Sequence, residues 1–169
     1  KNYLTNIWAV SEDEIAHFSE EYIRKTFRPK PNPCWACRLT HATMMTITEG
    51  PYEGMVVEEP EYEQLAAWGP VIDSRDISSA LMLSSLTDRM GLENNEVGWL
   101  MGWVMECFEK GFLTKDNLDG LEMRWGNVDS VKQLLHMISH RQGIGDILAE
   151  GIMRASQRIG GEASECAIY

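Results

Sequence analysis

Cys34 and Cys37 stand three apart in Pro33-Cys34-Trp35-Ala36-Cys37-Arg38-Leu39-Thr40-His41, and His41 follows four residues later. Two thiols on one tight turn can be aimed at a single metal or cluster, because the metal lowers their pKa and the thiolate is the ligand. His41 adds a third donor, and a complete site needs a fourth. Taken alone, this spacing serves zinc sites, redox dithiols and iron–sulfur clusters equally well.

A second group of chemically capable residues is Glu58-Glu59-Pro60-Glu61-Tyr62-Glu63. Its ordinary reading is a solvated helix start with Pro60 in the first turn, where carboxylates suit the positive end of the helix dipole. His136 and His140 are four apart and share a helix face, but the Glu of the zinc-protease motif is missing between them. They read as surface or core histidines. Cys107 reads as a small apolar filler, and Cys166 could close a metal site only if the chain folds back. Phosphate-binding glycine loops and Ser–His–Asp arrangements are not evident.

These residues need elements to hold them. Ser11-Glu12-Asp13-Glu14 is a capping box, and Ile15, Phe18, Tyr22 and Ile23 then share one face, which predicts a helix from Glu12 to Thr26. Pro29, Pro31 and Pro33 end it in a stiff, extended approach to the cysteines. Beyond His41 the alternation of Met45, Ile47 and Glu49 with Thr46 and Thr48, then Gly50-Pro51 and Met55-Val56-Val57, predicts a small β-hairpin. Everything later reads as helix. Asp73 or Asp76 starts one that ends at Gly91, and Asn94 or Asn95 starts the next, whose near-continuous apolar surface places it in a core or interface. Asn127 or Asp129 opens another, and the last runs from Asp146 to Ile159. The reading is all-α and multihelical, with six helices and the hairpin. Residues 1–33 supply the first helix and lead-in, and 34–169 form the helical remainder of one domain.

The formal net charge of −11 argues against nucleic acid and anionic membrane surfaces as partners, since both demand a positive face. No run of about eighteen apolar residues is present, and residues 1 onward do not form a signal peptide. Two of the four cysteines share one short motif and the others lie far apart, so a reducing, cytoplasmic setting is expected. Lys1 and Tyr169 as terminal residues suggest a piece of a longer polypeptide.

Five stretches, in one order, resemble the aldehyde ferredoxin oxidoreductase family. They are Cys34-x-x-Cys37, Glu59-Pro60-Glu61-Tyr62-Glu63, Asp88-x-x-Gly91-Leu92-Glu93, Gly120-Leu121-Glu122-Met123-Arg124-Trp125-Gly126-Asn127 and Gly143-Ile144-Gly145-Asp146-Ile147-Leu148-Ala149-Glu150-Gly151. Trp35-Ala36-Cys37-Arg38 and the Glu-rich stretch lean toward the branch near the catalytic subunits of benzoyl-coenzyme A reductases.

The resemblance implies a multihelical domain from a tungsten or molybdenum enzyme with a bis-pterin cofactor and a [4Fe–4S] cluster, both complete only in the full-length protein. Cys34 and Cys37 match two cluster ligands, and His41 stands where a third Cys is expected. Asp88, Gly91, Leu92 and Glu93 match a pterin-binding segment, and Glu61 or Glu63 matches an active-site carboxylate. The implied partners are the rest of the same enzyme, an N-terminal β domain and a C-terminal segment, and ferredoxin or an electron-transfer subunit; a homodimer is one assembly. The fragment alone should be inactive. The rival readings are a small zinc module on Cys34, Cys37 and His41, and a metal-free helical interaction domain.

Overall fold

Ser11 caps α1 (Glu12–His17) as the capping box predicts: its hydroxyl accepts from the Glu14 amide at 3.2 Å, and Glu14 accepts from the Ser11 amide at 2.8 Å. In this computed structural model, which describes residues 1–39 and 41–169, the helix expected from Glu12 to Thr26 is two helices. Thr40 of the cysteine stretch lies outside the described residues. The break comes at Ser19, whose hydroxyl accepts from the Tyr22 amide at 3.2 Å and donates to the Ala16 carbonyl at 2.7 Å, so it starts α2 (Glu20–Phe27) instead of continuing α1. Side-chain bonds of this kind compete with the helix ladder.

The hairpin is present as β2 (Thr43–Thr46) and β3 (Val56–Glu58), antiparallel with Met45 opposite Val57. A third strand, β1 (Lys30–Pro31), pairs with β2 and gives the order β1-β2-β3. The proline run hid it. Pro31 cannot donate to a ladder, and an edge strand is where that is tolerated. The cysteines lie in the loop between β1 and β2.

α3 (Tyr62–Ala66) starts later than expected. Pro60 precedes the helix, Glu61 is the N-cap, and Gln64 reaches back so that its Oε1 accepts from the Glu61 amide at 2.7 Å. The helix runs directly into a π turn, Ala67–Val71, that contains Pro70. Proline lacks the amide an α-helical ladder needs there, and such wide turns re-aim side chains. The turn carries Trp68 fully into the core, with none of its surface exposed.

α4 (Ile77–Arg89) is capped by Asp76, which accepts from the Ser79 amide at 2.8 Å. It divides two apolar clusters. Ile77 and Leu81 pack with Ile23, Phe27, Met45, Ile47 and Val57 of α2 and the sheet, while Ala80, Met82 and Leu83 join the larger helical core. α5 (Asn94–Glu109) is the centre of that core, with Leu100, Met101, Trp103, Val104 and Met105 buried. Burying one such side chain is worth about 1.5–3 kcal/mol. A Cβ on Gly98 would lie 2.4 Å from that of Ala67, so this glycine admits the π turn against α5. The N-cap of α5 is Glu93, not Asn94 or Asn95: its carboxylate accepts from the amides of Asn95 at 3.1 Å and Glu96 at 2.6 Å.

Asn127 caps α6 (Val128–Ser139), as one of the two expected alternatives. The expected last helix is broken into α7 (Ile144–Leu148) and α8 (Ile152–Ile159), and α9 (Gly161–Glu165) follows. The break is at Gly151, where φ is +84°. Apart from the third strand and these divided helices, the multihelical reading with a small sheet holds. No helix among the described residues is long and apolar enough to cross a membrane.

Candidate functional site

The cysteine loop is closed at its base by the β1–β2 pairing and by the Asn32 amide donating to the Ala42 carbonyl at 2.9 Å. At its tip Ala36 takes a left-handed φ of +59°, and the Cys37 amide donates to the Cys34 carbonyl at 3.0 Å. Both thiols are exposed, and Trp35 between them is 98% exposed. The Cys37 thiol donates to the Leu39 carbonyl at 3.1 Å. His41 is directed elsewhere, with Nε2 2.9 Å from Glu61 Oε1. No group of three or more His, Cys, Asp or Glu side chains is gathered to hold a metal ion among the described residues.

The second part lies at the end of α4. Gly91, with φ +68°, forms a Schellman turn with its neighbours: its amide donates to the Asp88 carbonyl at 3.0 Å and the Leu92 amide to the Thr87 carbonyl at 3.1 Å. A Cβ on Gly91 would meet nothing within 4 Å, so the backbone there is open to an approaching group. Asp88 Oδ1 accepts from Asn94 Nδ2 at 2.6 Å and from Gln64 Nε2 at 3.5 Å. Partial burial, with the charge of Glu58 adding to it, pushes the Asp88 carboxyl above its ordinary value; the two amide donors work against that shift.

These pieces meet at two adjoining clefts. One, of about 350 Å³, is lined by Glu61, Glu63, Gln64, Asp88, Leu92 and Glu93 among others. The other, of about 640 Å³, includes His41, Thr43, Glu59, Glu61, Tyr62 and Arg24. Glu61 belongs to both. The candidate residues Glu61, Glu63, Asp88, Leu92 and Glu93 therefore share one cleft, and His41 is tied to it through Glu61; Gly91, next to Leu92 in the chain, lines a separate pocket with Glu96, Leu100 and Leu148. Cys34 and Cys37 do not line either cleft.

The donor chemistry fits the implied groups in part. Two exposed thiols on one turn are the ligand type that iron–sulfur clusters take, and they fill part of such a ligand set. The Asp88 carboxylate beside an open Gly91 suits a ring that offers N–H donors. The sequence did not point to Gln64 and Asn94, whose amides donate to Asp88, nor to Trp68, which donates to Asn94. The Glu61-x-x-Gln64 spacing of a helix start was the legible signal for the first of these.

An acidic cleft built on a helical scaffold thus stands beside a sheet whose loop carries two exposed thiols. The chain belongs to the aldehyde ferredoxin oxidoreductase family: residues 1–169 match the family description "Aldehyde ferredoxin oxidoreductase, domains 2 & 3". It is 34% identical over 160 residues to the aliphatic sulfonate oxidoreductase WOR-like subunit of Pyrococcus furiosus, covering 88% of this chain and 26% of that one. It is 29% identical over 166 residues to a tungsten-containing aldehyde ferredoxin oxidoreductase of Thermococcus kodakarensis, covering 95% and 25%. Among solved structures, the active-site complex BamBC of benzoyl-coenzyme A reductase with 1,5-dienoyl-CoA superposes with a TM-score of 0.75 at 25% identity, over 98% of this chain and 24% of that one. The chain thus spans about a quarter of the length of these relatives.

Proposed function

We propose that this chain is the part of a tungsten-dependent oxidoreductase that holds one pterin through Asp88, Gly91, Leu92 and Glu93 and part of a [4Fe–4S] cluster through Cys34 and Cys37, with His41 as a third cluster donor only once it leaves Glu61. The observation that carries this is the meeting of Asp88, Glu61, Glu63 and Glu93 in one cleft beside the open turn at Gly91. The relatives named as tungsten-containing support the metal. A molybdenum form of the same pterin site is the variant within this reading.

In the whole enzyme the pterin-bound metal would supply two-electron chemistry at an aldehyde or related oxo group, and the cluster would pass single electrons to ferredoxin or an iron–sulfur partner subunit. The residues of this chain bind and orient. Asp88 accepts from ring N–H donors; the Gly91 turn lets the backbone come close; Glu61 or Glu63, facing the same space, accepts or returns a proton at the substrate. The remainder of the enzyme, an N-terminal β domain and a C-terminal segment, closes the site, so the fragment alone is inactive. The working location is the cytoplasm, with residues 1–33 and 34–169 acting as one domain.

The test is metal analysis of the full-length enzyme purified without oxygen. Asp88→Ala should lower bound tungsten while iron stays near the parent level, and Cys34→Ala should lower iron and the visible iron–sulfur absorption. Parent-level tungsten in Asp88→Ala, or stoichiometric zinc in place of iron, would overturn the reading.

A further inference from the structure

The π turn raises a question that α3 alone does not answer: why a helix would be distorted to bury a tryptophan directly behind a surface carboxylate. Trp68, fully buried, donates its Nε1–H to Asn94 Oδ1 at 2.6 Å. Asn94 is itself 6% exposed, so its amide cannot turn to water. Because the indole is a donor only, it fixes which end of the Asn94 amide is oxygen. The NH₂ end is then forced toward Asp88, and it donates to Oδ1 at 2.6 Å. Gln64 is held the same way from the other side: its Oε1 accepts from the Glu61 amide, which leaves its NH₂ for the same Asp88 oxygen. Two amides, each with its orientation set by an obligate donor, thus converge on one carboxylate oxygen from α3 and α5.

We infer that Trp68, Asn94 and Gln64 are positioning residues that hold Asp88 by Oδ1 and keep its other carboxylate oxygen, Oδ2, turned to the cofactor. This rests on the reading of Asp88 as a pterin acceptor. None of the three touches the reacting atoms. The arrangement suits a carboxylate at the end of a helix, which otherwise samples several rotamers and would lose that freedom each time it bound a ligand. It also gives the π turn a role, since this turn carries Trp68 behind α5 within reach of Asn94.

The experiment uses the full-length enzyme and compares Trp68→Phe, which keeps the ring and removes the N–H, with Gln64→Leu and Asp88→Ala. Tungsten and iron are counted per folded chain, alongside the thermal midpoint. Outer partners of ligands typically change affinity by about 10–100-fold, so tungsten retained through dialysis should fall by about tenfold in Trp68→Phe and Gln64→Leu, with iron unchanged. A purely structural role would lower the midpoint and leave tungsten per folded chain at the parent level; that result overturns the inference. If Trp68→Phe is recovered without iron as well, it has misfolded, and Gln64→Leu decides. Asp88→Ala separates the two claims. If it retains tungsten, the parent reading fails; if it loses tungsten while the other two retain it, only the positioning role fails.

Discussion

Glu96 and Ile152 lie 56 residues apart, and the Glu96 carboxylate accepts from the Ile152 amide at 2.5 Å, capping α8 from another helix. The close approach depends on Gly151, where a Cβ would come 2.7 Å from Glu96 Oε1 and where φ is +84°. Gly151→Ala combines backbone strain with displacement of the cap, and should cost about 2 kcal/mol or more. Urea unfolding of the two proteins at one temperature would show this as a lower midpoint with little change of slope.

Glu106 is buried on α5 and bonded by Lys110 and by the buried Asn2 side chain. Burial by itself would raise its carboxyl, but the bonds from Lys110 and Asn2 prevail and hold it below its ordinary 4.5. A carboxylate lowered on folding stabilises the protein fully above the unfolded value and loses that contribution as the pH drops through the folded one. Glu106→Gln should therefore be less stable than the parent at pH 7, by about 1–3 kcal/mol. The gap should narrow below pH 4.5. Thermal melts across that range, with equal gaps at every pH as the contrary result, decide it.

Asp88 behaves in the opposite sense. Its carboxyl is raised above the ordinary 3.8, so its ionised form is penalised in the fold at neutral pH, and the penalty disappears as the pH falls below 3.8. Asp88→Asn keeps an oxygen for Asn94 and Gln64 and removes the charge. In the cofactor-free protein it should melt slightly higher than the parent at pH 7 and equally at low pH. A lower melting point at pH 7 would contradict the account.

Cys34, Cys37 and Cys107 should separate by reactivity. Burial pushes the Cys107 thiol up to about 12, while Cys34 and Cys37 are exposed. The thiolate is the reactive species. Iodoacetamide at mildly alkaline pH should label Cys34 and Cys37 in the cofactor-free protein and reach Cys107 only after denaturant is added. Mass spectrometry of the labelled peptides gives the order directly.

What could be read from the residues was mostly what neighbours along the chain determine. The Ser11 capping box, the Asn127 cap, the glycine end of α4 and the apolar face of α5 are local, and each appears as expected. What escaped were outcomes of competition. Ser19 splits a helix because its hydroxyl has two backbone partners, and Glu93 displaces Asn94 as a cap because Asn94 is drawn inward by Trp68 and Asp88. The π turn was legible only in part: Pro70 rules out a regular helix there, but the close packing of Ala67 against Gly98 is tertiary. At the candidate site, the chain order of motifs brought out Cys34, Cys37, Glu61, Glu63 and Asp88. The amides that hold Asp88 come from two other elements, and only the helix-start spacing of Glu61 and Gln64 leaves a trace along the chain.

The paired strands at the base of the cysteine loop separate two tasks, closing the loop and presenting its thiols. The Lys30–Met44 and Pro31–Thr43 pairs and the Asn32–Ala42 bond close the loop without help from any inorganic centre. Ring closure is therefore the work of the backbone, and the apolar cluster of Met45, Ile47 and Val57 packs on the sheet side of it. The thiols of Cys34 and Cys37 are carried by this ring and are not its clasp, so exchanging both for serine should leave the strand pairing in place.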